Sequence, residues 1–436
     1  MKVDDILIQV YLQLHIIFNV IVLIHEGERK STVQATLTDY KYQVVMLLKL
    51  PNVTVVIPSF NRANLIYNLL LSLKYQSYPK DKYQIVVVDD FSEDHTLQLI
   101  KKVNLKNLTV IVNKENRGPA YSRNIGWKAS EGEIIIFCDS DFIVPKTFVE
   151  NHAKAHVNNN SLAVSGMGHW NHVLTYDYEK QWSPFQMEHL ENEYLRPFIT
   201  KRIKQSTNHN LITEKDIKQE MLPSFLIASD NPIKEWSKMY EDVIALSGYS
   251  LKDFQCPWIS FCTGNVSIRR IDLYHLGGFD EEFHLGYEDW EFAYRFYLEG
   301  GRFCFSKKAE AYLQLTPRPP SRKTSAYNNF KIFQKKHPFL EINLLKLDLE
   351  GKITFNELHK LLQQHYQIQA IHPSFIPLTH QFEIMAKNYA QNASCIPEPK
   401  SVKETRNKYI EEKRLYVSTQ LGFKEWLNFF DKFYYQ

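Results

Sequence analysis

The amino-acid sequence predicts an α/β protein built on a doubly wound, mostly parallel sheet, and three observations predict it. Between Val53 and Cys138, four short apolar runs alternate with three segments of helical spacing. The runs are continuously apolar and rich in β-branched residues, the pattern of strands covered on both faces. Three of the runs end in polar or acidic residues, and the carboxyl ends of strands are where such sheets bind ligands.

Taken in order, "VTVVIP" from Val53 is the first strand. "NRANLIYNLLLSLKYQ" follows with Leu65, Leu69 and Leu73 on one helical face. "YQIVVVDD" is the second strand, and "SEDHTLQLIKKV" a helix capped by Ser92 or Asp94. "LTVIVN" is the third strand. "GPAYSRNIGWKAS" opens on Gly and Pro and turns helical. "EIIIFC" is the fourth. Residues 151–250 are less regular, and "RPFITKRIKQSTNHNLITEKDIKQEM" reads as a mixed-charge insertion with helix and an exposed loop. Order returns at "PWISFCTGNVSIRR", and after the break "LTPRPPSRKTS" the chain reads as mostly helical. The expected organisation is an N-terminal extension over 1–50, a catalytic domain over 51–320 and a helical region over 321–436. The catalytic domain divides into halves 51–150 and 151–320, with an insertion at about 171–250.

Composition limits the function classes. The chain has 436 residues and a net charge of +3, evenly spread, which argues against nucleic acid as a partner. Cys138, Cys256, Cys262, Cys304 and Cys395 form no CxxC pair and read as free thiols of a reducing cytoplasm. Ile6 to Ile24 is apolar but carries Gln9, Gln13, His15 and Asn19 behind Asp4 and Asp5. That layout reads as a docking helix, with a membrane-surface or membrane-inserted helix as the alternative. The expected location is cytoplasmic, with the inner face of the membrane left open. Neither GxGxxG nor GxxxxGK[ST] is present, which disfavours dinucleotide and P-loop chemistry.

Two constellations carry chemistry. Asp139-Ser140-Asp141 ends the fourth strand. Two carboxylates there repel unless a cation lies between them, and their hard oxygens suit Mg²⁺ or Mn²⁺ shared with a diphosphate. Elsewhere such a triplet is an ordinary solvated turn; its place behind a buried strand raises it. In "GGFDEEFHLGYEDWEFAYRF", Glu288 and Asp289 precede a helix bearing Phe292 and Phe296. A helix amino terminus favours the charged form that a general base needs. The bland reading is an acidic first turn on a surface helix.

"VVIPSFNR", "VVVDDFSEDHT", "NRGPAYSRNIGWKASEGEIIIFCDSD" and "GGFDEEFHLGYEDWEF" together resemble the family-2 glycosyltransferases of GT-A fold. The last stretch also resembles the galactosyltransferase-type half of chondroitin-polymerase-like enzymes. The resemblance covers about residues 52–316. It implies an inverting, metal-dependent transfer from a UDP-sugar to a saccharide, lipid-linked or peptide acceptor. It places Phe60 beside the base, Asp90 on uracil and Arg123 near the diphosphate and sugar, with Pro58 and Ser140 completing the donor side. It puts the metal on Asp139 and Asp141 and the catalytic base on Asp289, with Glu288 binding acceptor or orienting the loop. Thr263, Gly264 and Asn265 match a "TGN" leading into the acceptor side. Many relatives have a metal-binding histidine where this chain offers Leu313 and Gln314; His284 is a weak substitute. No QxxRW motif is present, which points away from processive membrane synthases.

Two other classes stay open: a nucleotidyltransferase acting on sugar phosphates, and a non-catalytic binding module on a degenerate scaffold. A homo-oligomer stays open as well. "KLDLEGKITFNEL" mimics half an EF-hand but has Lys346 at the first ligand position, so it reads as helix-turn-helix. Trp170, Trp182, Trp236 and Trp258 read as core, although Trp258 and Trp290 flank the site and are the best sugar-platform exceptions.

Overall fold

The computed structural model describes residues 50–166, 171–178, 181–206, 209–228, 235–317, 322–391 and 408–434. The chain divides into a unit Met1–Asn52 and a unit Val53–Gln436. The apolar segment Ile6 to Ile24 lies outside the described residues.

Strands β1 (Val53–Ser59), β2 (Tyr83–Asp89), β3 (Leu108–Val112) and β4 (Ile134–Cys138) alternate with helices α1 (Ala63–Lys74), α2 (Thr96–Val103) and α3 (Gly118–Lys128). Next come β5 (Phe142–Ile143), α4 (Phe148–Ala155), β6 (Leu162–Gly166) and β7 (His172–Val173). The region expected to be an insertion forms α5 (Pro184–Leu195), α6 (Pro197–Gln205), α7 (Glu214–Lys218) and α8 (Glu235–Ser247). Then follow β8 (Asn265–Arg269), α9 (Arg270–Leu276), α10 (Glu288–Leu298), β9 (Arg302–Ser306) and β10 (Tyr312–Gln314). The carboxyl-terminal helices are α11 (Arg322–Lys336), α12 (Leu340–Leu349), α13 (Phe355–Ile371), α14 (Ile376–Gln391), α15 (Lys408–Tyr416) and α16 (Lys424–Tyr434).

The main sheet has seven strands in the order β3-β2-β1-β4-β8-β6-β9. The β1–β4 part is parallel, as its apolar runs require. β8 enters antiparallel between β4 and β6, and β9 lies parallel to β6. β1, β4 and β6 are wholly buried, whereas β3 is an edge with Val110 and Val112 exposed. The expectation of cover on both faces therefore fails at that edge. Leu65, Leu69 and Leu73 are buried as their spacing requires, each contributing about 1.5–3 kcal/mol. Gly126 lets α3 press onto β1, because a Cβ there would stand 2.3 Å from Val56 Cγ1.

A continuous core runs from Val56 and Phe137 through Trp258, Trp290 and Phe333 to Leu345, Phe382 and Trp426. The helical region thus packs on the sheet domain's own core. Trp258 and Trp290 meet edge to face at 6.1 Å inside it, both buried. They are core residues, which corrects the sugar-platform exception. The EF-hand mimic is the turn between α12 and α13. Glu357 there closes a capping box with Thr354.

Candidate functional site

At the carboxyl edge the ends of β1 and β2 are tied together. Asp90 N–H donates to Ser59 O at 2.7 Å, and Asn61 N–H donates to Ser92 Oγ at 2.8 Å. Arg62 N–H donates to Thr96 Oγ1 at 3.0 Å, and Asp94 accepts from Thr96 N–H at 2.9 Å. Ser92 therefore fastens the β1 loop, while Asp94 meets the start of α2. Phe60 stands exposed at this edge, and Pro58 sits within buried β1.

Asp90 is buried and already employed. Its Oδ1 accepts from Asn113 Nδ2 at 2.7 Å and Arg117 N–H at 3.0 Å, and its Oδ2 from Gly118 N–H at 2.8 Å. The carboxylate thus satisfies backbone donors at the start of α3, where negative charge is favoured.

At the acidic end of β4, one carboxylate, Asp139, meets a cation of the chain itself. Arg123, projecting from α3, donates through Nη2 to Asp139 Oδ1 at 3.0 Å and through Nη1 to Glu288 Oε1 at 2.9 Å. Arg123 and Glu288 are both buried, at 3% and 4% exposure, and Asp139 is partly open. Burial would lower the Arg123 pKa, but Asp139 and Glu288 overcome it and hold the guanidinium above its ordinary value. This fork reaches two carboxylates, which a lysine's point charge does not do in one geometry. It also joins residues 165 apart in sequence.

Glu288 and Asp289 begin α10, behind Gly286 and Tyr287, both at positive φ. Asp289 Oδ1 accepts from Trp290 N–H at 2.9 Å. Burial, followed by the charge of Glu288, pushes the Asp289 carboxyl up to about 7, against Arg123 and the backbone bond. The helix terminus alone favoured the fully charged form. Desolvation beside a second carboxylate outweighs it here, which corrects the sequence expectation. Asp139 also acts on Asp289, so the two aspartates share one electrostatic neighbourhood.

A hard divalent cation fits the end of β4 only as a shared ligand. Asp139 and Asp141 offer carboxylate oxygens, both partly exposed. Among the described residues no group of three or more His, Cys, Asp and Glu is arranged for a metal ion. Gln314 stands at the expected histidine position, and its amide is fully engaged. Nε2 donates to Leu65 O and Phe142 O at 3.0 and 2.9 Å, while Oε1 accepts from Asn68 and Thr175, each at 2.9 Å. Its backbone N–H donates to Asp141 O at 2.8 Å, so it braces the acidic turn. His284 is exposed on the loop before α10. Two carboxylates would leave the remaining positions of such a cation to water or to a ligand's oxygens, the kind of shell that Mg²⁺ and Mn²⁺ accept.

Ser140 is buried between the two aspartates. Gly264 lies against the same turn: Asp139 N–H donates to its carbonyl at 3.3 Å, and a Cβ there would meet Phe142 at 2.6 Å. Asn265 is structural, bonded to His152 at 2.8 Å and to Ala309 O at 3.0 Å. Two neighbours had no signal in the sequence. Tyr178 is pushed up to about 12 by burial, with Arg62 opposing and Tyr176 and Asp141 adding. Cys262 lies 2.9 Å from the Tyr240 hydroxyl and feels both Asp289 and Asp139. Neither residue type, alone in an irregular stretch, marks a site.

Residues 54–215 match the model of glycosyl transferase family 2, and residues 246–317 match the N-terminal domain of galactosyltransferase. The chain is 32% identical over 252 residues to the uncharacterized glycosyltransferase YfnE of Bacillus subtilis, covering 57% of this chain and 61% of that protein. It is 40% identical over 102 residues to the poly(ribitol-phosphate) beta-N-acetylglucosaminyltransferase TarS of Staphylococcus aureus, covering 23% and 18%. It is 25% identical to the chondroitin synthase of Pasteurella multocida, covering 68% and 28%. The alignments therefore span less than two thirds of each of these relatives. Among solved structures, S. aureus TarS 1-349 in complex with UDP-GlcNAc is 18% identical at a TM-score of 0.43, covering 78% and 89%. The chain thus carries a glycosyl transferase family 2 domain over residues 54–215, followed by a galactosyltransferase-type segment over residues 246–317, and is a glycosyltransferase.

Proposed function

We propose that this chain is a metal-dependent, inverting glycosyltransferase that moves a hexosyl or N-acetylhexosaminyl group from a UDP-sugar to a saccharide, lipid-linked or peptide acceptor. The reading extends to polysaccharide or glycoconjugate synthesis in the cytoplasm; one relative carries the name chondroitin synthase. One observation carries it: the Arg123 fork ties Asp139 to Glu288, so the carboxylate beside Glu288 lies by the acidic strand end.

The chemistry is a single in-line displacement. Asp289 accepts the proton of the acceptor hydroxyl while that oxygen bonds to the anomeric carbon. The bond from that carbon to UDP breaks, and UDP leaves with the electron pair. A base near pKa 7 matches its working pH, and a positioned base contributes about 10²–10⁴-fold. Asp139 and Asp141 would hold a divalent cation, which when bound neutralises the departing diphosphate. Arg123 fixes the orientation of Asp139, and Glu288 holds Arg123. Phe60 flanks the base. Asp90 Oδ2 accepts one bond, from Gly118 N–H, leaving a lone pair for the imide N–H of uracil.

The test is calorimetric titration of UDP-sugars with and without Mn²⁺, joined to an assay of released nucleotide. Metal-dependent uptake and release of UDP support the reading. Release of pyrophosphate instead indicates nucleotidyl transfer. No uptake with any metal sinks the reading.

A further inference from the structure

Among the described residues, three bulky apolar or aromatic side chains sit on backbone in the left-handed region: Phe91 at φ 68°, Leu251 at 52° and Tyr287 at 66°. That conformation is unfavourable for any side chain larger than glycine's and needs compensation. Leu251 and Tyr287 have it, being buried in the core at 2% and 9% exposure. Phe91 does not. It is 47% exposed, so the fold gains little from its ring at that strained position. Strain without a structural return concentrates where ligands bind.

The position is specific. Phe91 follows Asp90, and Phe60 follows Ser59. The two aromatics lie between the Asp90–Ser59 backbone bond and the Asn61–Ser92 bond. They therefore occupy one rung at the carboxyl edge of β1 and β2, and Phe60 is 43% exposed as well. β2 lies two strands from β4, the strand that ends in Asp139. Two strand spacings are about 10 Å, the scale separating the base from the phosphates of a nucleoside diphosphate.

We propose that Phe91 is a donor-binding residue which, together with Phe60, takes the planar base of the nucleotide donor. This rests on the proposed function and adds a residue to its donor site. The aromatic face supplies stacking to the base, and the cost is borne as backbone strain in the free protein.

The experiment uses the full chain with Mn²⁺ and two ligands, UDP and inorganic pyrophosphate, which lacks a base. Phe91→Gly and Phe91→Asn both accept the left-handed backbone, so both keep the fold. Each is expected to weaken UDP binding about tenfold. Pyrophosphate binding stays at the wild-type value, and the urea midpoint does not fall. Wild-type UDP affinity in both variants, or equal weakening of both ligands, overturns the role of Phe91 alone. A wild-type chain that takes up no nucleotide overturns the parent reading and this one with it.

Discussion

The starts of α3 and α10 each present a carboxylate to a helix amino terminus, yet the two are built for opposite ends. At α3, Asp90 is enclosed by three hydrogen bonds from Asn113, Arg117 and Gly118, two of them from backbone. At α10, Asp289 has one backbone bond, is crowded by Glu288 and is desolvated. Hydrogen-bond coverage makes the first a structural anchor. Thin coverage beside a like charge, with burial, raises the second above the usual carboxylate range, as the proposed base requires. A helix terminus therefore does not decide the state of a carboxylate; its remaining surroundings do.

The largest effect expected from breaking this contrast is at α10. Asp289→Asn should lower transfer by about 10²–10⁴-fold while calorimetry shows UDP uptake retained. Transfer at the wild-type rate would remove the base from α10. Next comes the link between the helices. Arg123→Met leaves Glu288 buried without its cation, a loss of about 3–5 kcal/mol in urea unfolding. A loss under 1 kcal/mol would mean that the fork contributes little. At α3, Asp90→Ala strips the first-turn donors of their acceptor, and a decrease of about 1–2 kcal/mol is expected. An unchanged unfolding midpoint would show that Asp90 is not an anchor.

The smallest effects sharpen the contrast through pH. If Asp289 is the base proposed above, it must be deprotonated to act, so transfer should fall about tenfold per unit as pH drops below about 7. A flat rate between pH 5 and 8 would contradict this. Its folded pKa stands above its unfolded value near 3.8, so its stabilising contribution is full below 3.8 and disappears as pH rises through 7. Asp289→Asn should thus have a slightly higher unfolding midpoint than wild type at pH 8, and no advantage at pH 4.

The parallel half of the sheet was legible because each buried strand is an apolar run rich in β-branched residues, α1 carries a leucine stripe and α3 opens on Gly and Pro. The acidic turn, Arg123 and the Glu-Asp pair were legible from spacing and from the resemblance. Strands β5, β7 and β10 were not, being two or three residues long and paired only through tertiary contacts. Gln314 could not be read as a brace, because its partners come from Leu65, Asn68, Phe142 and Thr175. The pKa of Asp289 depends on burial, which the helix-terminus argument omits. Phe91 gave no sign either, since a single residue's φ is not written in periodicity.

The position of β8 bears on how the chain comes to life during synthesis. A ribosome that has released the first 250 residues has delivered both aspartates and Arg123, but β4 still lacks its antiparallel neighbour and the guanidinium lacks Glu288. The proposed cation-binding end is thus made before the proposed proton acceptor, and the two meet only once β8 and the start of α10 have followed.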